Sequence, residues 1–353
     1  MNKNFKENTR SSETASAGTS EISENLASAD SCVDTTANAA VTESSRPAKT
    51  KRTQKQQFLS PQDAQKKWGA RKNQVFIFRS LNVPGGFHLL LCGDATMRAF
   101  YRIIFLFCRV GLIIADLPYN AAYKSDYRDS KKAKHKFNVI ANDKLPRRSY
   151  NSLVRRILDN CRSVSLPGSA FFVFYGFTET INTYPIIVKS LGQLQRLLIW
   201  KKRRFIQSRT RHFRWRHEVC LFGHIDKKLR CWLGDRAQTT MFDEAAIATS
   251  PHELPRQIHP CPKPVSIIER FIKLTLEPGG VVLDPVSGGG STLVAAEITG
   301  RIGIGIEIIP EFTSVICERM SLLGLEVIQT DLTHLAKVLA ELGWGNHSTI
   351  SDE

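Results

Sequence analysis

The sequence predicts an α/β fold with a mostly parallel sheet and helices on both faces. Three observations carry this. Short apolar runs of strand length alternate with longer stretches whose apolar residues recur at helical spacing. One of the strands runs directly into a glycine turn, Gly288 to Gly290, and then a helix. Another, "VGLIIAD", is apolar along its length, as a strand covered on both faces must be.

The elements follow in order. Residues 1–57 are rich in Ser, Thr, Ala, Asn and Glu and almost free of aromatics. Such a segment buries too little apolar area to offset its ordering entropy, so it reads as a disordered tail. The ordered domain is expected to begin between Gln57 and Val75 and to run to residue 340, with 341–353 a flexible end. "FHLLLCGDA" is a strand ending at Gly93-Asp94, "ATMRAFYRIIFLFCR" a helix, and "VGLIIAD" a buried strand. "SLVRRILDNCRSV" is helical, and "PGSAFFVFYGF" is a strand. "LQRLLIW" and "HEVCLFGH" are strand-like and flank a basic segment. "KPVSIIERFIKLTL" is a helix behind Pro264, "GGVVLDP" a strand, "STLVAAEITG" a helix ending at Gly300, and "RIGIGIE" a strand. A last helix starts after Pro310.

The chain of 353 residues carries a net charge of +16, which favours a polyanionic partner. The tail is not the source of that charge. Residues 1–60 hold eight Lys/Arg against seven Asp/Glu, so the basic surface belongs to the folded part. The eight cysteines include no CxxC pair and match no zinc spacing, so no metal site is expected. No secretory apolar region opens the chain, and the longest apolar stretch is broken by Arg102 and Arg109. These features predict a cytoplasmic protein without a membrane span.

Two places carry chemistry. At the first, the strand Val281–Leu283 ends in Asp284-Pro285, glycines follow, and Ser291-Thr292 open a helix. Glycines let a ligand approach the backbone, and a helix amino end offers unpaired N–H groups. Glu307 ends the next strand about 20 residues on, at the spacing where an acid accepts hydrogen bonds from a ribose. A nucleoside-type cofactor fits better than a phosphate-bearing one, because the turn has no adjacent lysine. The second place is the end of "GLIIADLPYN", where Asp116, Leu117, Pro118 and Tyr119 stand together at the carboxyl end of a buried strand.

Together these stretches resemble the amino-group DNA methyltransferases. "ADLPYN" is similar to the DPPY signature of that family. "HPCPKPVSIIERFIKLTLEPGGVVLDPVSGGGSTLVAAEITGRIGIGIE" resembles its HPxxKP segment, DPFxGSGTT turn and acidic strand end. The DPPY-like block precedes the cofactor block, as in the β arrangement. "HLLLCGDA", "VIANDKL" and "GDRAQTTMF" resemble segments of the subgroup often joined to ParB-like domains. The resemblance implies a seven-stranded-type, Rossmann-like methyltransferase sheet. It also implies methyl transfer from S-adenosyl-L-methionine to the N6 amine of a flipped adenine in double-stranded DNA, with N4 of cytosine as the alternative. A DNA-binding remnant with weak or no catalysis is the reading from another class, and a homodimer is compatible with either.

Family roles carry over at matching positions. Asp116 would accept a hydrogen bond from the target amine, the Leu117 carbonyl would accept the second, and Tyr119 would stack on the base beside Pro118. Asp284, Gly288 and Gly290 would shape the cofactor pocket, and Glu307 would hold the ribose. Lys263, Ser291 and Thr292 would lie near the methionine carboxylate. Two residues depart from the family pattern: Leu117 replaces a proline, whose carbonyl role leucine can fill, and Val286 replaces a phenylalanine.

"RLLIWKKRRFIQSRTRHFRWR" holds nine Lys/Arg and no acid, with aromatics interleaved. Cations for phosphates beside rings for bases suit a DNA-facing surface. The alternative is a solvated basic loop with its aromatics in the core. The family places target recognition here, so a basic insertion is expected at about 196–258. Lys201, Lys202, Arg203, Arg204, Arg209, Arg211, Arg214 and Trp215 are its candidate DNA contacts. "YKSDYRDSKKAKHK" after Asn120 is a second basic loop.

Overall fold

The computed structural model describes residues 58–121, 140–203, 212–243 and 250–344. The N-terminal tail, the whole second basic loop, residues 345–353, and Arg204, Arg209 and Arg211 lie outside the described residues. The strands are β1 (Gln74–Arg79), β2 (Phe87–Cys92), β3 (Val110–Asp116), β4 (Ser165–Tyr175), β5 (Gly192–Lys201), β6 (His217–Ile225), β7 (Met241–Asp243), β8 (Val281–Asp284), β9 (Ile302–Glu307) and β10 (Val327–Asp331). The α-helices are α1 (Pro61–Trp68), α2 (Arg98–Phe107), α3 (Arg147–Ser163), α4 (Thr180–Leu191), α5 (Val265–Thr275), α6 (Ser291–Ile298), α7 (Pro310–Leu322) and α8 (Leu335–Glu341).

The strands form one sheet in the order β10-β1-β2-β9-β8-β3-β4-β6-β5-β7. The run β2-β9-β8-β3-β4 is parallel throughout. The antiparallel pairs lie outside it, β10-β1-β2 on one side and β4-β6-β5 on the other. The pleat sends alternate residues to opposite faces. Ile113, Ala115, Phe171 and Val173 pack with residues of α2, α3, α4 and α8. Leu112, Ile114, Phe172 and Phe174 pack with residues of α5, α6 and α7. Two apolar layers therefore cover the central strands, which explains their unbroken apolar runs.

The sheet extends beyond the strands read from sequence. β1 and β10 pair with each other across some 250 residues and complete one edge. The region around 196–258 is not a separate insertion at its start, because β5 and β6 are sheet strands paired antiparallel from Gly192↔Ile225 to Lys201↔His217, with a register shift between Leu194 and Arg196. The helix after Pro310 is not the last. α8 follows, and Trp344 is buried and stacks on Phe107 with ring centroids 6.4 Å apart. Packing thus reaches residue 344, past the expected boundary at 340. Among the described residues, no helix is long and apolar enough to cross a membrane.

Candidate active site

The centre of the sheet sets the site. From β3 the chain proceeds to β4 on one side, and from β8 it proceeds to β9 on the other. The crevice at the carboxyl ends of β3 and β8 is therefore a topological switch point. Asp116 ends β3 and Asp284 ends β8. One cavity there is lined by Asp116, Tyr119, Glu218, Lys263, Gly288 and Glu307, among others. Residues from the two distant sequence blocks thus face the same space.

Asp116 Oδ2 accepts a hydrogen bond from Lys263 Nζ at 2.5 Å. Its Oδ1 is buried and has no partner. Burial raises the Asp116 carboxyl above its ordinary 3.8; the Lys263 ammonium opposes that rise and the Glu218 carboxylate adds to it. Lys263 also reaches Glu218 Oε2 at 3.2 Å and the Tyr119 hydroxyl at 3.4 Å. The Tyr119 hydroxyl donates to Glu218 Oε2 at 2.8 Å, and Lys202 Nζ donates to Glu218 Oε1. Burial alone would raise Glu218, but the ammoniums of Lys263 and Lys202 hold it down at about 2. Burial works against the Lys263 charge in turn, yet Asp116 and Glu218 keep that amine protonated above its ordinary range.

The backbone fixes these groups. The Leu117 N–H donates to the Phe174 carbonyl at 3.1 Å, and the Leu117 side chain is buried in the core. The Pro118 carbonyl accepts from the Tyr150 hydroxyl at 2.9 Å. Gly176 lies against Tyr119: a Cβ there would be 2.6 Å from the Tyr119 carbonyl oxygen. Asn120, in the left-handed region at φ 51°, holds Leu145 from both sides of its amide at 3.2 and 2.7 Å.

The glycine turn is held just as closely. Asp284 accepts from the Thr292 hydroxyl at 2.5 Å and the Val286 N–H at 3.1 Å. Glu307 accepts from the Gly288 N–H at 2.7 Å and the Ile309 N–H at 2.8 Å. Arg319, 2% exposed on α7, donates to the Gly289 carbonyl. The Ser291 hydroxyl donates to the Lys263 carbonyl at 2.6 Å. Lys263 therefore adjoins the opening of α6 through its backbone, while its ammonium is turned towards Asp116. This departs from the expected place near the helix opening, because two partly buried carboxylates capture the amine.

Burial pushes both Asp284 and Glu307 up to about 7. A raised acid is protonated in the folded chain while the unfolded chain has already released its proton. Its contribution is full below the ordinary carboxylate range and is lost as pH rises through 7. Folding stability should fall between about pH 4 and 7, by up to about 1.4 kcal/mol per pH unit for each group. Chemical denaturation at several pH values should show the decline, and Asp284→Asn should flatten it. An equally steep decline in that variant would assign it to other groups.

The basic segment divides. Lys201 pairs with Asp243 at 2.7 Å, and Lys202 pairs with Glu218. Both were expected to face phosphates; instead, carboxylates of this chain hold their ammoniums. Trp200 is buried. Arg203 and Arg214 are exposed. Trp215 is half-buried, 5.0 Å from the Phe177 ring, and Phe213 is 90% exposed. Glu218, Arg319, Gly176 and His259 also shape the site, with no role readable from the local sequence. His259, of the HPxxKP-like stretch, packs on Phe312 at 4.6 Å, and burial pushes its imidazole down to about 3. It is therefore a neutral wall of the cavity.

The family model described as DNA methylase matches residues 110–318, more than half of the chain. The chain belongs to the N6/N4 DNA methylase family. The matched span runs from the first residue of β3 to within α7 and so includes both blocks of the crevice. Type II methyltransferase M.HpaI of Haemophilus parainfluenzae is 26% identical over 228 residues, covering 60% of this chain and 68% of that protein. Type II methyltransferase M.ScaI of Streptomyces caespitosus is 38% identical over 65 residues, covering 18% of this chain and only 21% of that protein. The structure of PvuII DNA methyltransferase (cytosine-N4-specific) is 15% identical, covers 72% of this chain and 92% of its own, and aligns with a TM-score of 0.49.

Proposed function

We propose that this DNA methylase transfers a methyl group from S-adenosyl-L-methionine to the N6 amine of an adenine flipped out of double-stranded DNA. The observation that carries this reading is the unpartnered, buried Oδ1 of Asp116, a residue that lines the crevice. A buried acceptor without a donor costs free energy, and an exocyclic amine would supply the donor. An ionised acceptor also suits a purine amine, whose lone pair is delocalised into the ring.

The remaining residues fit this chemistry. The cofactor supplies a methyl group on a sulfonium, already activated for displacement. Ile308 and Phe312 give the cavity an apolar wall beside the Glu307 carboxylate, which suits a nucleoside. Gly288 is required by its own surroundings, since it sits at φ 51° and a Cβ there would lie 3.0 Å from His259 Nε2. Glu307 would take the ribose hydroxyls, and Asp284, Gly290, Ser291 and Thr292 hold the shape of the turn. Asp116 Oδ1 and the Leu117 carbonyl would accept the two amine hydrogens and leave the lone pair free. Tyr119 would pack on the extruded base. In this arrangement Asp116 Oδ1 would also take up the proton that the methylated nitrogen must release. Positioning and electrostatics suffice, without a covalent intermediate. Arg203 and Arg214, with Arg204, Arg209, Arg211 and Trp215, are the remaining candidate DNA contacts.

The test is direct. The protein is incubated with methyl-labelled cofactor and duplex DNA, and the DNA is digested to nucleosides. Label in N6-methyladenine is expected. Label in N4-methylcytosine would move the reaction to the other base, and DNA retained without label would make the chain a binder without catalysis.

A further inference from the structure

Glu218 on β6 lies outside both sequence blocks of the crevice, yet four charged groups converge through it. Its Oε2 accepts from the Tyr119 hydroxyl at 2.8 Å and from Lys263 at 3.2 Å, and its Oε1 accepts from Lys202. The Glu218 side chain is 12% exposed and that of Lys263 is 9% exposed. Asp116 completes the group through Lys263 at 2.5 Å. Two carboxylates thus face two ammoniums, and the cluster is neutral. Neutrality matters here, because methyl transfer to an amine puts positive charge on the nitrogen beside Asp116. An unbalanced ammonium in a dry pocket would oppose that charge.

We propose that Glu218 is a positioning residue for the base pocket. It fixes the Tyr119 ring by its hydroxyl, and it shares Lys263 with Asp116 so that the second Asp116 oxygen stays open to the amine. Lys202 is the counter-ion that keeps Glu218 itself in place. The role rests on the adenine-methylation reading. The grip on Tyr119 does not need it. Lys202 follows the last residue of β5 and leads directly into the basic segment, so the counter-ion of Glu218 stands at the start of the candidate DNA-facing stretch.

Glu218→Gln keeps the shape and an acceptor for Tyr119 but removes the charge. The single-turnover methylation rate should fall on the order of 100-fold, while cofactor affinity measured by calorimetry stays within about twofold. The acid limb of the rate–pH profile should move to lower pH, because the Glu218 charge no longer opposes ionisation of Asp116. Adding Lys202→Met restores neutrality and should recover most of the rate. A fluorotyrosine placed at Tyr119 and followed by fluorine NMR should ionise at lower pH in Glu218→Gln than in the parent. A parent enzyme that labels adenine beside a variant with the same rate and acid limb would overturn the proposal. An unchanged tyrosine titration would overturn it as well, whatever the activity. A parent that labels no adenine would remove the methylation reading, and the titration would still decide the Glu218–Tyr119 contact.

Discussion

Asp116→Asn should lower the single-turnover methylation rate by about 10³-fold, within the range that positioned proton acceptors contribute. The variant keeps the size of the side chain and an oxygen for Lys263. It places an amide where the open Oδ1 now stands, so either a donor meets the donor of the base or the Lys263 contact is lost. Cofactor affinity should be nearly unchanged, because Gly288, Gly289 and Glu307 are held by partners other than Asp116. The fold should survive too, since Glu218 still engages Lys263 at 3.2 Å. In the parent, activity should fall on acidification at a pH above the ordinary carboxylate value of 3.8, because burial raises Asp116. Single-turnover assays across pH, with calorimetry on both proteins, would check this. A variant with the parent's rate would show that Asp116 is not the acceptor.

The sequence made the centre of this fold legible and its margins much less so. β3, β8 and β9 announce themselves because each is apolar on both faces, and each ends in the acid that matters: Asp116, Asp284 or Glu307. β10 reads "VIQTD" and holds only half-buried and exposed residues, so its five residues signal a strand weakly before β1 is there to pair with it. α4 carries Pro185 inside it, which argues against a helix on local grounds. Charge was the most deceptive signal. Lys201 and Lys202 look like phosphate ligands in a run of basic residues, but Asp243 and Glu218 capture them. Lys263 meets Asp116 across 147 positions, and Glu218 meets Tyr119 across 99. No local pattern encodes such meetings; only the sheet order brings those residues to one crevice.

Gly290→Ala should weaken cofactor binding by at least about tenfold, which corresponds to about 1.4 kcal/mol. Two costs act together. Gly290 caps α6 at φ 77°, where any residue with a Cβ is strained by about 1–2 kcal/mol. Its Cβ would also stand 2.8 Å from both Cγ atoms of Ile316. Ile316 is fully buried among α7 and sheet residues, so it cannot retreat without overpacking, typically a further 1–3 kcal/mol. The turn must move instead, and with it the Gly288 N–H that holds Glu307. Removing the clash should separate the two costs. Gly290→Ala with Ile316→Ala should regain part of the affinity but not all of it, because the backbone strain remains. Calorimetric titration of the methyl donor into the parent, both single variants and the double variant would show this. No recovery in the double variant would place the whole loss in the backbone, and an unaffected Gly290→Ala would mean that this turn does not carry the cofactor.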